Sequence, residues 1–218
     1  MGVDIRKTGI VTANNFGELN INVMPNSRTM ALGTADVTTG TWRNAGSNSM
    51  TKSRVQITDS PIGSCYGFQN VGVQTPNDGS CYGIDAFPLD PNSYYVLSMW
   101  AKCAAGNQNA MAGFNVYSAT HEVGTYELTQ KNYYGWYLPT SGEWKRVWIR
   151  VKTNSATTRN IYIGIVTGDT SVTTQMCGIK IEKGYYPTSW SPNPTDGESI
   201  VPARFYDDYI ETNEFIEY

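Results

Sequence analysis

A chain of 218 residues in which only 16% are charged, with 24 Thr, 18 Asn, 16 Ser and 21 Gly, favours strands and turns over helices and is long enough to bury a full core without disulfide staples. Sixteen Lys and Arg against nineteen Asp and Glu, a net charge of −3, leave no electrostatic footprint for a nucleic-acid backbone or an anionic membrane surface. The longest apolar runs, such as Ile161 to Val166, fall far short of the roughly 20 residues that span a bilayer. The expectation is a soluble chain without a targeting segment, with no nucleic-acid partner and no membrane insertion.

From about residue 50 apolar and polar residues alternate with period two between turn signals, which predicts an antiparallel β-sandwich. The first such segment sets Ser53, Val55 and Ile57 against Lys52, Arg54 and Gln56. Two identical pentapeptides follow, Gly63-Ser64-Cys65-Tyr66-Gly67 and Gly79-Ser80-Cys81-Tyr82-Gly83, on either side of the turn-rich stretch 74–79. They suit two strands of a hairpin, and that placement would allow a Cys65–Cys81 bridge. The competing reading is free buried thiols at Cys65, Cys81, Cys103 and Cys177, whose spacing contains no metal-binding pattern.

Next, Tyr95, Leu97, Met99, Ala101 and Cys103 form an apolar face opposite Tyr94, Val96, Ser98, Trp100 and Lys102. Phe114 and Val116 oppose Asn115 and Tyr117. In the strand after Trp144, Val147, Ile149 and Val151 oppose Arg146, Trp148, Arg150 and Lys152. Ile161, Ile163 and Ile165 oppose Tyr162, Gly164 and Val166, and Cys177, Ile179 and Ile181 oppose Met176, Gly178, Lys180 and Glu182. Each strand thus has an aliphatic face for a shared core and a second face of mixed character.

Several of the second faces carry large rings: Trp100, Tyr117, Trp148 and Tyr162, interleaved with Arg, Lys and Asn. Aromatic faces stack on the C–H surface of sugar rings while amides and guanidinium groups bond the hydroxyls, so these four residues are candidate glycan contacts. The stretch 126–139 supplies a second candidate surface through Tyr133, Tyr134 and Trp136, rings that give large contact area at low entropy cost. The competing reading is packing beneath loops or terminal segments for the first surface, and for the second a loop that folds back over the sandwich edge and buries its own rings.

Chemistry has few residues to work with. His121 is the one histidine, and no nucleophile, phosphate-binding or zinc motif occurs. No catalytic residue, cofactor or metal ligand is assigned, and calcium stays open because no compact run of carboxylates marks a site. Carboxylate-only glycoside hydrolysis is the one enzymatic route that such a composition leaves.

The segment Gly178-Ile179-Lys180-Ile181-Glu182-Lys183-Gly184, followed by Pro187-Thr188-Ser189-Trp190-Ser191-Pro192-Asn193-Pro194-Thr195-Asp196, resembles the closing strand and tail of carbohydrate-binding-module-like jelly rolls found in phage and prophage tail proteins. Tyr95 to Lys102 resembles that family's Y-x-L-S-F-W-A-K strand, Gly142 to Val147 its G-x-W-x-R segment, and Met24 to Trp42, more loosely, its opening. The resemblance spans residues 22 to 196. It implies a jelly-roll β-sandwich on a phage tail, fibre or baseplate, with Trp144 and Trp190 structural and Trp190 anchoring the exit chain; it transfers no ligand.

Residues 11–19 align without gaps to residues 210–218, with Asn14, Phe16 and Glu18 matching Asn213, Phe215 and Glu217. A short element repeated on both sides of a module suits a fibre, since one such unit cannot bury its own apolar residues. The expected organisation is therefore an all-β chain: residues 1–22 as an N-terminal fibre or oligomerisation segment, 23–196 as the sandwich, and 197–218 as linker and C-terminal fibre segment, assembled as a homotrimer.

The function expected is non-enzymatic: host-surface glycan attachment within a virion tail, in company with other tail proteins. Two further readings stay open, a purely structural tail or baseplate subunit and an ancillary carbohydrate-binding module of a glycoside hydrolase.

Overall fold

The computed structural model describes residues 21–24, 27, 30, 42–45, 50–73, 82–122, 126–128, 133–168, 171–194 and 196, of which 126–128 and 133 are described by their backbone alone. The predicted fibre segments, apart from Ile21 and Asn22, lie outside these residues. So does Cys81.

Among the described residues all regular structure is strand: β1 (Arg43–Asn44), β2 (Met50–Ile57), β3 (Cys65–Gly72), β4 (Tyr82–Pro88), β5 (Tyr94–Cys103), β6 (Met111–Val116), β7 (Ala119–His121), β8 (Tyr126–Leu128), β9 (Tyr133–Tyr137), β10 (Lys145–Thr153), β11 (Thr158–Val166) and β12 (Val172–Lys183). They form two antiparallel six-stranded sheets, in the orders β1-β4-β11-β6-β9-β8 and β2-β3-β12-β5-β10-β7. The sheets pack as a jelly-roll sandwich, the all-β class that the alternation predicts.

The predicted inner faces of β5, β10, β11 and β6 meet in one core, which includes Leu97, Met99, Phe114, Val147, Ile149, Ile161 and Ile163, all fully buried. Phe68 of the second sheet stacks on Tyr82 of the first with ring centroids 3.8 Å apart, and Trp42 meets Phe68 edge-on. The Tyr82 hydroxyl donates to Asn70 Oδ1 at 2.7 Å, so this cross-sheet contact leaves no orphaned phenol. Each fully buried apolar side chain contributes roughly 1.5–3 kcal/mol, against about 0–1 kcal/mol for an exposed ion pair. Burial holds the sandwich together.

Three expectations are corrected. The pentapeptides do not form a hairpin: β3 and β4 lie in different sheets. Of the two cysteine readings, the structure has free thiols at Cys65, Cys103 and Cys177. Ile57 is buried, but beside Gly67 and Cys177, outside the main core; Met50 is the β2 residue that packs against that core.

The third correction is in β12. Met176, Ile179 and Ile181 face the core, while Cys177 faces outward. The pairing with β5 shifts between Cys177 and Lys180, and Gly178 sits at φ +58°, a conformation that favours glycine. A bulge adds one residue to the strand and reverses which parity points inward.

Candidate functional site: two outer faces

On the outer face of the first sheet, alternation against the core places Arg43 of β1, Gly83 and Asp85 of β4, Tyr162 of β11, Asn115 of β6 and Tyr137 of β9, with Tyr117 just beyond β6. A second bulge, at Ala86 with φ +51°, interrupts the β4–β11 register; the Ala86 N–H donates to Asn160 Oδ1 at 3.0 Å. Asp85 immediately precedes it. The Arg43 guanidinium donates to both Asp85 oxygens, Nε to Oδ2 at 2.5 Å and Nη2 to Oδ1 at 2.9 Å, and Nη2 also donates to the Tyr162 hydroxyl at 3.3 Å. That hydroxyl donates in turn to Asp85 Oδ1 at 3.3 Å.

The Tyr162 ring lies across Gly83, where any Cβ would approach it within 2.7 Å. Tyr117 meets Tyr162 edge-on, centroids 5.6 Å apart, and Tyr117 is 53% exposed. Hydrogen bonding to Arg43 holds the Asp85 carboxyl below its usual range, and burial together with the Asp85 charge raises the Tyr162 phenol. At neutral pH this corner presents a carboxylate, a guanidinium, a neutral phenol and a solvent-exposed ring side by side.

A cavity of about 260 Å³ opens next to it, lined by Asn115, Tyr117, Ser118, Ala119, His121 and Tyr134 among others. That is slightly below the roughly 300–1,000 Å³ of small-molecule sites. His121 stacks on Tyr134 at 3.8 Å and accepts the Val116 N–H on Nε2 at 3.3 Å. Burial pulls its pKa down to about 4, so at neutral pH it is uncharged with its proton on Nδ1.

The outer face of the second sheet is occupied by the chain that leaves β12. Lys180 and Glu182 form an ion pair at 3.0 Å with side chains 2% and 1% exposed. Lys180 Nζ donates to Thr188 Oγ1 at 2.6 Å and to the Ser189 carbonyl at 2.9 Å; the Thr188 N–H and hydroxyl donate to the two Glu182 oxygens at 2.8 and 2.5 Å. Arg146 also donates to the Thr188 carbonyl. Asn22 completes the closure: its amide donates to the Ile179 and Ser191 carbonyls, and its Oδ1 accepts the Met24 and Ile181 N–H groups. Trp190 and Trp100 both lie against Gly178 at the bulge.

Beyond this docked segment the second face exposes another cluster. Tyr186 (70% exposed) lies 6.5 Å from Trp148, and Tyr185 (55% exposed) lies 4.7 Å from Tyr94. The Arg150 guanidinium sits 5.8 and 5.6 Å from the Tyr94 and Tyr185 rings, and is paired with Glu122 at 3.4 Å.

The seven residues singled out from sequence are therefore dispersed. Tyr117 and Tyr162 share the first outer face. Trp148 lies in the exposed cluster of the second face, while Trp100 lies on the same face at the covered bulge. Tyr134 and Trp136 pack against the core, and Trp136 Nε1 donates to the Trp148 carbonyl of the opposite sheet at 2.8 Å. The Tyr133 side chain is outside the described residues.

Arg43, Asp85, Tyr137, Tyr94, Tyr185 and Tyr186 were not selected from sequence. For Tyr94 the outward phase of β5 was an available signal, and for Tyr137 its place among the rings of 131–137. Arg43 and Asp85, 42 positions apart, carry no local signal. Among the described residues no group of three or more His, Cys, Asp or Glu side chains could hold a metal ion.

No family model matches the chain, and no curated protein matches it. Solved structures do. An arabinose-bound α-L-arabinofuranosidase matches at 13% identity over 77% of this chain and 27% of its own, with a TM-score of 0.51. A candidate sugar-binding protein from Bacteroides thetaiotaomicron matches at 11% identity over 75% of this chain and all of its own, with a TM-score of 0.50. A domain of bacteriophage CBA120 tailspike protein 4 matches at 11% identity over 75% of this chain and 22% of its own, at 0.48. Carbohydrate-binding modules match at 0.45 or below. At these identities the likeness is one of fold.

Proposed function

We propose that this chain is a non-catalytic carbohydrate-binding module whose site is the outer face of the first sheet, and that it serves host-surface glycan attachment in a phage tail. The observation that carries the reading is the corner where Arg43, Asp85 and Tyr162 hydrogen-bond one another beside the exposed Tyr117 ring. A sugar offers a C–H face for Tyr117 and hydroxyls for the carboxylate, guanidinium and phenol. Asn115 and His121 line the adjoining cavity. The sandwich shared with a candidate sugar-binding protein supports this reading at the level of fold. The tail setting rests on the resemblance of residues 178–196 to phage jelly rolls.

A shallow polar corner gains little per site after ordering costs, so useful attachment would come from several copies acting together. The homotrimer, built through residues 1–20 and 198–218, supplies that multiplicity. Glycan-array screening of the full chain, followed by titration calorimetry on the hits, tests the site: Tyr117→Ala is expected to weaken binding about tenfold, ~1.4 kcal/mol, with the fold intact. Unchanged affinity in Tyr117→Ala and Tyr162→Ala would exclude this face. Light scattering before and after deleting the two terminal segments tests the trimer; a monomer throughout would remove it.

A further inference from the structure

Two cysteines that the glycan reading does not use meet on the outer face of the second sheet. β3 and β12 are neighbours, and Cys177 stands opposite Gly67, two residues from Cys65. The bulge at Gly178 turns Cys177 out of the core, and Gly67 lets the two strands approach closely: a Cβ there would come 2.9 Å from Cys177 Cβ and 2.5 Å from Ile57 Cδ1. The two side chains share this face on neighbouring strands, and Ser60 Oγ lies 3.4 Å from Cys65 Sγ. Access is unequal. Cys65 is part-exposed, whereas Cys177 is fully buried.

We infer that Cys65 and Cys177 are a redox-active dithiol which a small-molecule disulfide converts to an intrachain disulfide, tying β3 to the closing strand β12. The Cys65 thiolate attacks one sulfur of the oxidant, breaking its S–S bond and releasing one thiolate. That thiolate takes up the Cys177 proton. Cys177 then attacks Cys65 Sγ and expels the second half of the oxidant, which is protonated from solvent in place of the proton Cys65 gave up. Two protein thiols become one disulfide, and the oxidant is reduced to two thiols. The pair is arranged for this order: Cys65 is the part-exposed member, and its neighbour Cys177 draws its thiol down to about 7 despite its burial, while the Cys177 thiol is raised.

The full chain is treated with oxidised glutathione at pH 8, then denatured, analysed by intact mass, alkylated and analysed by peptide mapping. The expected result is an intact mass, read before alkylation, about 2 Da below that of the reduced chain, then two of the four cysteines protected from alkylation, and a cross-linked peptide containing Cys65 and Cys177. Cys65→Ser is expected to abolish the loss, and Cys177→Ser to leave a glutathione adduct on Cys65. Four alkylated cysteines after treatment, a Cys65–Cys81 link, or a lasting adduct on Cys65 in the unsubstituted chain would each overturn the inference.

Discussion

The two outer faces of the sandwich arise from the same alternation, yet one charged pair is sealed and the other is open. Lys180 and Glu182 are 2% and 1% exposed beneath Thr188 and Ser189, whereas Arg43 and Asp85 keep 28% and 19% of their side-chain surface. Alternation decides which way a side chain points from the sheet. Whether that side is solvent or another stretch of chain depends on the route of the segment leaving β12. A sealed pair belongs to the architecture; an open one beside exposed rings is available to a ligand.

The sealed pair should give the largest effect. Removing one partner strands a buried charge, so Glu182→Gln or Lys180→Met is expected to cost about 3–5 kcal/mol in denaturant unfolding. Replacing both, as Lys180→Met with Glu182→Leu, should recover much of that loss, because the desolvation cost of two ions disappears with their attraction. Burial lowers the Lys180 pKa even with Glu182 opposing it, which marks desolvation as the dominant effect there. A double variant no more stable than the worse single variant would contradict this account.

A smaller effect separates the faces by pH. His121, beside the first face, has its folded-state pKa depressed from 6.5 to about 4 by burial. The unfolded chain therefore takes up the proton first: stability is full above pH 6.5 and is lost as pH falls towards 4, by up to about 3 kcal/mol. His121→Gln keeps an acceptor for the Val116 N–H and should flatten the melting temperature across that window. Asp85 is lowered chiefly by its hydrogen bonds from Arg43, so its contribution is present above the ordinary Asp range and disappears only at more acid pH. A slope that persists between pH 6.5 and 4 in His121→Gln would show that other groups set it.

These contrasts also explain what was legible in the residues. Inward parity was plain where aliphatic side chains recur without interruption, as at Leu97, Val147, Ile163 and Phe114. It failed at Cys177, because a bulge inserts one residue and leaves no mark beyond Gly178. In β9 both parities are aromatic, so composition could not separate the inward Trp136 from Tyr137, 52% exposed. Arg43 and Asp85 meet only because β1 pairs with β4, a long-range fact with no local pattern. The outward phase of Lys180 and Glu182 was readable, but their covering depends on hydrogen bonds from Thr188 and to Ser189.

The smallest change in stability should have the most telling effect on function. The Arg43–Asp85 pair is partly solvated, so Asp85→Asn is expected to cost no more than about 1 kcal/mol. The same substitution removes the carboxylate that orients both Arg43 and the Tyr162 hydroxyl, and should weaken glycan binding several-fold, read by calorimetry on the folded variant. Tyr186→Ala, in the exposed cluster of the second face, is the matched control and should leave both stability and affinity nearly unchanged. If Tyr186→Ala lost affinity while Asp85→Asn kept it, the binding face would move to the second sheet, where Tyr94, Trp148, Tyr185 and Arg150 already form an aromatic and cationic surface.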